Sequence, residues 1–581
     1  MATWQVRTPD PALIDRLARI PNVTPLTARL LVSRGHTDPE SVLRHLKAGA
    51  MGLHDPALFP GMQAATDRIL RAMELGETIL VHGDYDVDGV TGTSLLMRLF
   101  QLLDAKAVWH IPNRLVDGYS FGPHSIERAK ATNAKVVISV DNGTSAFDVI
   151  AGLKKIGVDT IVTDHHEPPP GPLPDAIAII NPKLHDSTYP WRELCGGAVA
   201  FKLAWGVVQA LNKGAKATGP VKAFLEEATA YVAIATVCDV VPLLDENRIF
   251  ARYGLKALEQ SKSPGLAALC KVAGIAGRPL TAEDVAFQIG PRINASGRLG
   301  SAHFAVECML ADDEESAELA AKRLDDLNKE RREIEAGVLV EARAEAQRFP
   351  NDPVLVLGKQ GWHQGVVGIV AARLTEEFGR PAIIIGLNGE EGRGSARTVG
   401  DFSVLEAMSG AAEVLMRFGG HTAAAGLEIR ADKVDEARLL ICARAKEMLA
   451  GEIHGEADLL IDHVLPFAEM NEQTMRLLDQ LAPFGEQNEK PIFLSERVHL
   501  AREPRAVGAD GSHLMLNFRE GHHVLKAMAF RMGDRLDEFK MGHPVDIVYT
   551  PRWNTFRGQT NLEIQLLDFR PALVASSAPP F

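Results

Sequence analysis

Short apolar runs alternate with longer mixed segments between about residue 77 and residue 180. The runs are rich in β-branched residues and lie at 78–81, 107–111, 136–140, 160–163 and 176–180. Segments long enough for helices, such as 92–103 and 145–156, separate most of them. This alternation predicts a mostly parallel sheet with helices on both faces. In such sheets, ligand sites lie beyond the carboxyl ends of the strands.

Other patterns occupy the rest of the chain. Residues 312–347 are rich in Ala, Glu, Arg, Leu and Lys and precede Pro350, which predicts one long helix with a solvated charged face. Apolar runs at 354–357 and 382–385 predict a second α/β region, and short alternating runs after about residue 457 predict a small all-β barrel. The predicted fold class is therefore α/β, with two α/β domains joined by a long helix and followed by an all-β domain.

The predicted domain limits follow these changes in pattern. The first residues favour short helices separated by Pro-rich turns, and the last favour disorder because they are rich in Ser, Ala and Pro. The limits are 1–75 for an N-terminal helical leader, 76–310 for the first α/β domain, 311–350 for the linking helix, 351–455 for the second α/β domain, 456–570 for the barrel and 571–581 for a disordered tail.

The composition of the 581 residues is that of a globular protein, with 46% hydrophobic and 24% charged residues. A net charge of −13 argues against a generally polycationic nucleic-acid coat, although it leaves room for a local basic groove. The five cysteines include no CxxC pair, which argues against a disulfide framework or a structural zinc site and favours a reducing compartment. We see neither a signal peptide nor a membrane-spanning run, and therefore expect a soluble cytoplasmic protein that does not associate with membranes.

A dense set of candidate metal ligands follows the first strand. His82, Asp84, Asp86 and Asp88 occupy alternate positions, and on an extended segment their side chains would point to the same side. Three carboxylates so placed repel one another unless a cation neutralises them. A calcium loop of the EF-hand type would need a later Glu and two flanking helices, but position 95 is Leu and a strand precedes the loop. The EF-hand alternative therefore fails.

Two further strands also end in candidate ligands. The run 136–140 leads into Asp141, and the run 160–163 leads into residues 164–167, which include Asp164, His165 and His166. Asp239 lies in an apolar segment, where a lone carboxylate would be costly. Asp and His without thiolates favour Mn²⁺ or Mg²⁺, and so many ligands exceed the needs of one ion. The pattern predicts a two-metal site, with ions about 3.5–4 Å apart, suited to phosphate-ester hydrolysis.

Several basic or glycine-rich segments are candidates for binding phosphate. Residues 392–397 combine glycine and serine with two arginines, although a solvated turn is the alternative. Arg292 and Arg298 flank a Gly/Asn/Ser-rich loop and would grip internal phosphates. Gly419, Gly420 and His421 would present N–H groups and an imidazole, the alternative being a tight turn.

The predicted barrel also carries basic residues next to aromatic ones. Within 551–558, Arg552 and Trp553 suit phosphate contact and base stacking, the latter worth about 1–3 kcal/mol per base. The alternative for Trp553 and Phe556 is packing in the barrel core.

The candidate metal ligands resemble the motifs of a known superfamily. The Asp164-His165-His166 triplet, the loop 82–88, Asp141 and Asp239 are similar to the four motifs of the DHH phosphoesterases. Residues 417–426 resemble the GGH motif of the companion DHHA1 domain. The motifs occur in the expected order and span most of residues 75–430.

Further segments resemble one branch of that superfamily, the RecJ family. These are 111–114 with 117–119, then 290–299, and 481–488 at the start of the barrel. The resemblance implies a DHH domain, a DHHA1 domain and an OB-like domain that binds single strands. It also implies a 5′→3′ exonuclease specific for single-stranded DNA that releases 5′-mononucleotides in DNA repair and recombination. The partners it implies are a DNA helicase and a single-strand-binding protein, and we expect a monomer.

The resemblance also implies roles for individual residues. One cation would be held by His82, Asp86 and Asp141, and the other by Asp88, Asp141, His165 and Asp239, with Asp141 bridging the two. His166 would face the substrate phosphate as a proton donor or charge stabiliser. Asp84 matches the loop, but the superfamily pattern does not require a carboxylate at that position; a role in orienting His82 is one interpretation. Arg114, Ser395 and Arg397 would surround the 5′-terminal phosphate.

Three rival functions stay open at the level of sequence. A short-oligonucleotide or cyclic-dinucleotide phosphodiesterase shares the chemistry, but such relatives usually lack a comparable barrel. A pyrophosphatase or polyphosphatase would not need the barrel or its aromatic residues. A catalytically inactive single-strand-binding scaffold would tolerate loss of ligands, whereas every ligand position is intact here.

Overall fold

The computed structural model describes residues 3–113, 121–449, 459–508, 510–556 and 559–572. In its N-terminal part the elements are β1 (Trp4–Val6), α1 (Pro11–Leu17), α2 (Pro25–Ser33), α3 (Pro39–Lys47) and α4 (Met62–Glu74). The first α/β region contains β2 (Thr78–His82), α5 (Val87–Leu102), β3 (Ala107–His110), α6 (Pro123–Ala131), β4 (Ala134–Val140), α7 (Phe147–Lys155), β5 (Asp159–Thr163) and β6 (Ala178–Ile180).

A run of helices follows the first sheet. These are α8 (Gly196–Leu211), α9 (Gly219–Cys238), α10 (Asp245–Glu259), α11 (Pro264–Val272), α12 (Ala282–Asp284), a π-helical turn at Val285–Ile289, α13 (Gly290–Leu299), α14 (His303–Leu310) and α15 (Glu314–Ala346). The second α/β region contains β7 (Leu355–Gln360), α16 (Val367–Phe378), β8 (Ala382–Asn388), β9 (Glu391–Arg397), α17 (Val404–Ser409), β10 (Leu415–Gly420), β11 (Ala424–Arg430) and α18 (Val434–Leu449).

The C-terminal part is mostly β. Its elements are β12 (Leu459–Ile461), β13 (His463–Val464), α19 (Glu472–Asp479), β14 (Phe493–Leu500), β15 (Arg505–Val507), β16 (His513–Glu520), β17 (His523–Ala529), β18 (Val545–Phe556) and β19 (Gln559–Pro571). Short 3₁₀ turns lie at Ala50–Gly52, Pro56–Leu58, Ala431–Lys433 and Gly533–Glu538. Among the described helices, none has both the length and the apolar character needed to cross a membrane.

The first sheet has five parallel strands in the order β3-β2-β4-β5-β6. On one face Leu80 and Val137 pack with Leu153 of α7 in a common core. On the other face α5 approaches so closely that a Cβ at Gly92 would lie 2.6 Å from Val140. Because β2, β4 and β5 are parallel neighbours, their carboxyl ends lie at one edge of the sheet.

Helix α15 has 33 residues and leads into a mixed sheet with the order β10-β11-β9-β8-β7. Leu355 and Ile384 pack against α15 and α16 on one face, while Val356 and Ile383 pack against α17 and α18 on the other. The prediction of a solvated charged face on α15 holds only in part. Arg331 and Glu335 are buried in an ion pair, and Arg331 also donates to Asn328 at 2.7 Å.

The third sheet has seven strands, in the order β13-β14-β18-β19-β17-β16-β15, and an additional pairing of β14 with β16 joins its two halves. Helices α1 to α3 share its core, where Leu17 and Leu30 belong to the same buried cluster as Phe493 and Phe518. Strand β1 pairs with β12.

The chain forms two compact units, and the predicted N-terminal leader of residues 1–75 is divided between them. One comprises Met1–Leu53, Pro242–Arg252 and Ala457–Phe581, and the other comprises His54–Val241 and Tyr253–Glu456. The predicted fold class is confirmed, since a parallel sheet, a second α/β region after a long helix and an all-β region occur in that order.

Candidate metal centre and substrate cleft

Three strand ends bring carboxylates and imidazoles to one edge of the first sheet. Asp141 follows β4 and adopts a left-handed φ of 63°, while Asp164, His165 and His166 follow β5. Asp86 caps the N-terminus of α5, where its Oδ1 accepts a hydrogen bond from the Gly89 amide at 3.1 Å. The extended conformation predicted for 82–88 is therefore wrong, because β2 ends at His82 and α5 begins at Val87.

The ligand atoms form overlapping groups in which all members lie within 4.8 Å of one another. One group contains Asp84, Asp86 and Asp141, and another contains Asp88, His165 and Asp239. Asp141 links them, because its Oδ1 lies 3.2 Å from His165 Nε2. His165 Nε2 also lies 3.6 Å from Asp239 Oδ2 and 3.8 Å from Asp88 Oδ2.

The predicted ligand sets change at two residues. Asp84, predicted to orient His82, lies instead among the candidate ligands with Asp86 and Asp141. His82 belongs to a different group, with His110 and His124, and not to one with Asp86 and Asp141. The reason is that α5 begins at Val87, so residues 82–88 do not form an extended segment and their side chains do not alternate between two sides.

Two glycines that the sequence analysis missed shape the centre. The backbone amides of Gly196 and Gly197, at the start of α8, each donate to an oxygen of Asp88 at 2.6 Å. A Cβ at Gly196 would lie 2.7 Å from the Asp141 Cβ, and a Cβ at Gly197 would lie 2.8 Å from the Ala235 Cβ. Only glycine allows so close an approach. The signal was present as a Gly-Gly pair at the start of an apolar helix.

Electrostatics in the centre favour a bound cation. Burial, followed by repulsion from Asp88, raises the pKa of Asp141 well above its usual range. Burial, followed by repulsion from other aspartates, raises the pKa of Asp88 to about 7 and that of Asp239 to about 9. Asp141 Oδ1 and Asp239 Oδ2 are buried and accept no hydrogen bond from the described residues. Buried carboxylate oxygens of this kind are stabilised by a divalent cation, so the residues present fit one.

His165 and His166 differ in protonation. Burial, followed by the charge of His166, lowers the pKa of His165 to about 3, so its imidazole is neutral and able to bind a cation. His166 Nδ1 donates to Asp164 Oδ1 at 2.7 Å, and this hydrogen bond raises the pKa of His166 to about 9. Asp164 is held by the backbone amides of His165 and Thr144, at 2.8 and 2.9 Å. His166 is therefore a cation at neutral pH, and its side chain is 56% exposed.

The acidic centre opens beside a larger, basic cleft. Tyr85 and Arg298 line both the cavity at the carboxylates, of about 290 Å³, and the cleft, of about 790 Å³. Strand β9 contributes Arg393, Ser395 and Arg397, which occupy alternate positions and therefore share one face of the strand. Because 391–397 is a strand, the solvated-turn alternative is wrong.

Some of the residues predicted to contact the DNA strand or its 5′-terminal phosphate line this cleft. Arg397 Nη1 donates to Ser395 Oγ at 2.9 Å, which places the guanidinium beside the hydroxyl. Gly419 and Gly420 line the cleft, whereas His421 is exposed and its backbone amide donates to Ala424 O at 2.8 Å. Arg114 lies outside the described residues.

Arg292 and Arg298 lie in different surroundings, because residues 290–299 form helix α13 and not a loop. Arg298 donates to Gly365 O at 3.1 Å and faces the cleft. Arg292 is buried, pairs with Asp325 at 2.9 Å and donates to two backbone carbonyls. The predicted phosphate contact of Arg292 is therefore wrong, since its guanidinium is already held inside the protein.

The two barrel residues predicted to bind DNA, Arg552 and Trp553, also interact with other residues of the protein. Trp553 packs against the barrel core, and its Nε1 donates to Asp479 at 3.0 Å. Arg552 lies 3.5 Å from Glu563 Oε2 and 5.5 Å above the Phe530 ring. The structure thus favours the core-packing alternative for Trp553. The Phe556 side chain lies outside the described part of the chain.

Three segments of the chain match models of known protein domains. Residues 78–236 match the DHH family N-terminal domain, 351–447 the DHHA1 domain and 461–568 the RecJ OB domain. The single-stranded-DNA-specific exonuclease RecJ of Bacillus subtilis is 34% identical over 97% of this chain and 70% of its own length. The protein of the same name from Salmonella typhimurium is 33% identical over 96% of this chain and 98% of its own length.

Solved structures agree with these matches. The crystal structure of RecJ from Thermus thermophilus with Mn²⁺ has a TM-score of 0.82 and 29% identity, and it covers 100% of this chain and 81% of that chain. The Mg²⁺ complex from the same organism has a TM-score of 0.75 and 27% identity, with 98% and 79% coverage. The chain therefore belongs to the RecJ family, whose relatives named above are single-stranded-DNA-specific exonucleases.

Proposed function

We propose that this chain is a metal-dependent exonuclease that hydrolyses single-stranded DNA in the 5′→3′ direction and releases 5′-mononucleotides. The observation that carries the proposal is a pair of ligand groups linked by Asp141, which open beside a cleft lined by Arg298, Ser395 and Arg397. The names of the relatives support the substrate and the reaction class.

The cofactors in this proposal are two divalent cations, Mn²⁺ or Mg²⁺. Asp84, Asp86 and Asp141 would hold one, while Asp88, Asp141, His165 and Asp239 would hold the other. The Mn²⁺ and Mg²⁺ in the Thermus thermophilus structures support this choice, as does a ligand set without thiolates. When bound, such cations neutralise phosphate oxygens and lower the pKa of a water molecule.

The protein's own groups position the substrate and carry a proton. His166, protonated and more than half exposed, is placed to donate a proton to the departing 3′ oxygen or to stabilise the phosphate. Asp164 acts through His166, because it fixes the ring and stabilises its charge. Hydrolysis adds the water oxygen to phosphorus and breaks the P–O3′ bond, so the shortened strand again carries a 5′-phosphate.

Ser395 and Arg397 are suited to bind that terminal phosphate. A guanidinium beside a hydroxyl on one strand face supplies charge-assisted hydrogen bonds to phosphate oxygens. Each cycle regenerates the same terminal group, so one phosphate-binding site serves successive cleavages. Arg114 stays in this proposal as a third contact, and Gly419, Gly420 and His421 stay as contacts to the strand.

The wider setting belongs to the same proposal. A single-strand exonuclease is useful in DNA repair and recombination, next to a DNA helicase that supplies single strands and a single-strand-binding protein that covers them. We propose a monomer that acts in the cytoplasm.

A degradation time course tests the function. Single-stranded DNA labelled at either end, duplex DNA, RNA and a dinucleotide would each be incubated with Mn²⁺, with Mg²⁺ and with chelator. We expect cation-dependent release of mononucleotides from single-stranded DNA, starting at the 5′ end. Cleavage confined to the dinucleotide would favour the short-oligonucleotide phosphodiesterase. Binding of DNA without cleavage under any cation would favour the inactive scaffold.

A further inference from the structure

A cluster of three histidines lies on the first sheet beside the carboxylate centre. His82 ends β2, His110 ends β3, and His124 is the second residue of α6. His82 and His110 are register partners of two parallel neighbouring strands, so their side chains project from the same face of the sheet.

The three rings are arranged as ligands of one ion would be. Each residue offers a ring nitrogen, and these nitrogens all lie within 4.8 Å of one another. The His82 ring centroid lies 5.1 Å from that of His110 and 5.6 Å from that of His124, and the remaining pair is 5.7 Å apart. Metal–nitrogen bonds of about 2.0–2.1 Å require a similar three-sided arrangement of imidazoles around the ion.

A second observation concerns the ring nitrogens of His82. This side chain is 0% exposed, and its Nε2 lies 2.9 Å from the hydroxyl of Ser125, which is also fully buried. Its Nδ1 is buried and makes no hydrogen bond to any described residue. A ligating histidine commonly bonds through its other nitrogen to a neighbouring group, which fixes the ring. Ser125 suits that role and leaves Nδ1 for a cation.

Packing alone accounts for the cluster less well. Phe121 contacts the His82 ring edge at a centroid distance of 5.0 Å, so the rings do pack as aromatic groups. Packing leaves Nδ1 of His82 without a hydrogen-bond partner in a fully buried position, and an unsatisfied buried polar group of this kind is destabilising. A cation bound at Nδ1 removes this destabilisation.

We propose that His82, His110 and His124 form a third metal site, separate from the carboxylate centre, that takes a borderline divalent cation of the Zn²⁺ type. Three imidazoles match Zn²⁺, Co²⁺ or Ni²⁺, whereas Mg²⁺ and Mn²⁺ prefer oxygen ligands. The ion ties the ends of β2 and β3 to the start of α6, and so stabilises the part of the fold next to the loop that carries Asp84 and Asp86.

Zinc titration of the full chain tests the site. Protein stripped with chelator would be saturated with Mg²⁺, so that the carboxylate centre is filled, and then titrated with Zn²⁺ against a chromogenic zinc indicator. Because Zn²⁺ also competes with Mg²⁺ for the carboxylate centre, we expect at least one tightly bound Zn²⁺ per chain, of which one depends on the three histidines. His124→Gln should weaken this binding at least about 100-fold, and Ser125→Ala about 10- to 100-fold. His522→Gln, which changes an exposed histidine of the barrel, should leave binding unchanged.

Two further measurements distinguish Zn²⁺ at the histidine site from Zn²⁺ at the carboxylate centre. Asp141→Asn should retain the Zn²⁺, because the histidine site does not use that carboxylate. Thermal melts should show Zn²⁺ raising the Tm of the wild type but not that of His110→Gln or His124→Gln, whose folding circular dichroism checks. Absence of a tight Zn²⁺ in Mg²⁺-saturated wild type would overturn the proposal, as would its loss in Asp141→Asn and retention in both histidine variants.

Discussion

The carboxylate centre and the basic cleft meet at Tyr85 and Arg298 but are built in opposite ways. In the centre, Asp141 and Asp239 each bury an oxygen that accepts no hydrogen bond from the described residues. In the cleft, Arg298 and Arg397 already donate to protein oxygens at 3.1 and 2.9 Å.

This difference indicates that the carboxylates of the centre serve catalysis, whereas the arginines of the cleft serve substrate binding. Buried carboxylates without donors are costly in the empty protein and are stabilised only when a cation arrives, so their loss should abolish turnover. Arginines that already have partners are positioned before substrate binds, and each supplies one of several phosphate contacts, so loss of one should weaken binding without abolishing turnover. Variants should therefore divide into two classes: those that lose turnover and those that lose part of the affinity for the DNA strand.

The largest effect is expected at the residue that links both ligand groups. Asp141→Asn removes a charge from both, and we expect single-strand cleavage to fall at least about 10³-fold, equivalent to about 4 kcal/mol or more of activation free energy. DNA affinity, measured by fluorescence anisotropy, should change little. Asp148→Asn, an exposed carboxylate on α7, is the matched control. Cleavage near the wild-type rate in Asp141→Asn would show that this carboxylate does not link two cations.

A smaller effect is expected where the cleft binds the strand end. Arg397→Ala should remove a hydrogen bond to a charged group, worth about 1.5–3 kcal/mol, and so reduce the preference for 5′-phosphorylated over 5′-hydroxyl DNA about 10- to 150-fold. Competition between the two substrates measures this preference. Arg430→Ala, an exposed arginine at the end of β11, should keep it. Equal losses on both substrates would refute a role in reading the 5′ end.

Sequence patterns predicted the carboxylate centre better than the cleft, for a physical reason. Ligands at the carboxyl ends of parallel strands converge, because these ends lie at one edge of the sheet. The order of the apolar runs along the chain was enough to predict that the strands are parallel. The pattern did not show where β2 gives way to α5, and so it misassigned His82 and Asp84. Arg292 was misread because the glycines and serine of 290–299 suggested a loop, whereas tertiary packing makes the segment helical.

Long-range packing was likewise invisible in the sequence. The N-terminal helices share a core with the barrel, although more than 400 residues of chain separate Leu30 from Phe493. No local pattern encodes such a contact. The same part of the molecule provides a contrast with the catalytic centre, because the fold itself, and not a ligand, keeps the buried imidazole of His45 neutral.

His45 illustrates that contrast through pH. Burial, followed by the charge of Arg248, lowers the pKa of His45 to about 2. The unfolded chain binds this proton near pH 6.5, so stability is complete above that pH and falls as the pH drops from about 6.5 towards 2. The slope is up to about 1.4 kcal/mol per pH unit. Between pH 7 and pH 5 we expect the wild type to lose about 2 kcal/mol more than His45→Phe in urea unfolding.

Identical losses in the two proteins would show that His45 is not held neutral in the fold. His522→Phe serves as the control, because that side chain is exposed and should leave the pH dependence unchanged.

The smallest effect separates the two arginines of α13. Arg298→Gln should remove one phosphate contact and lower the slope of log affinity against log salt by about 0.7, the value for a single strand. Arg292→Gln should leave the slope unchanged among folded molecules, because Arg292 is paired with Asp325 inside the protein. Binding isotherms at several salt concentrations measure both, and a reversed pattern would restore the original assignment of Arg292.

One cation-dependent centre should remove nucleotides from the 5′ end of a single strand. A single-stranded DNA with one internal methylphosphonate linkage, which lacks the charged phosphate oxygen, tests this when it is digested with Mn²⁺ and the products are resolved by length. We predict that degradation from the 5′ end stops at that linkage and leaves the 3′ segment intact. Accumulation of an intact 5′ segment, or of internal fragments, would contradict it.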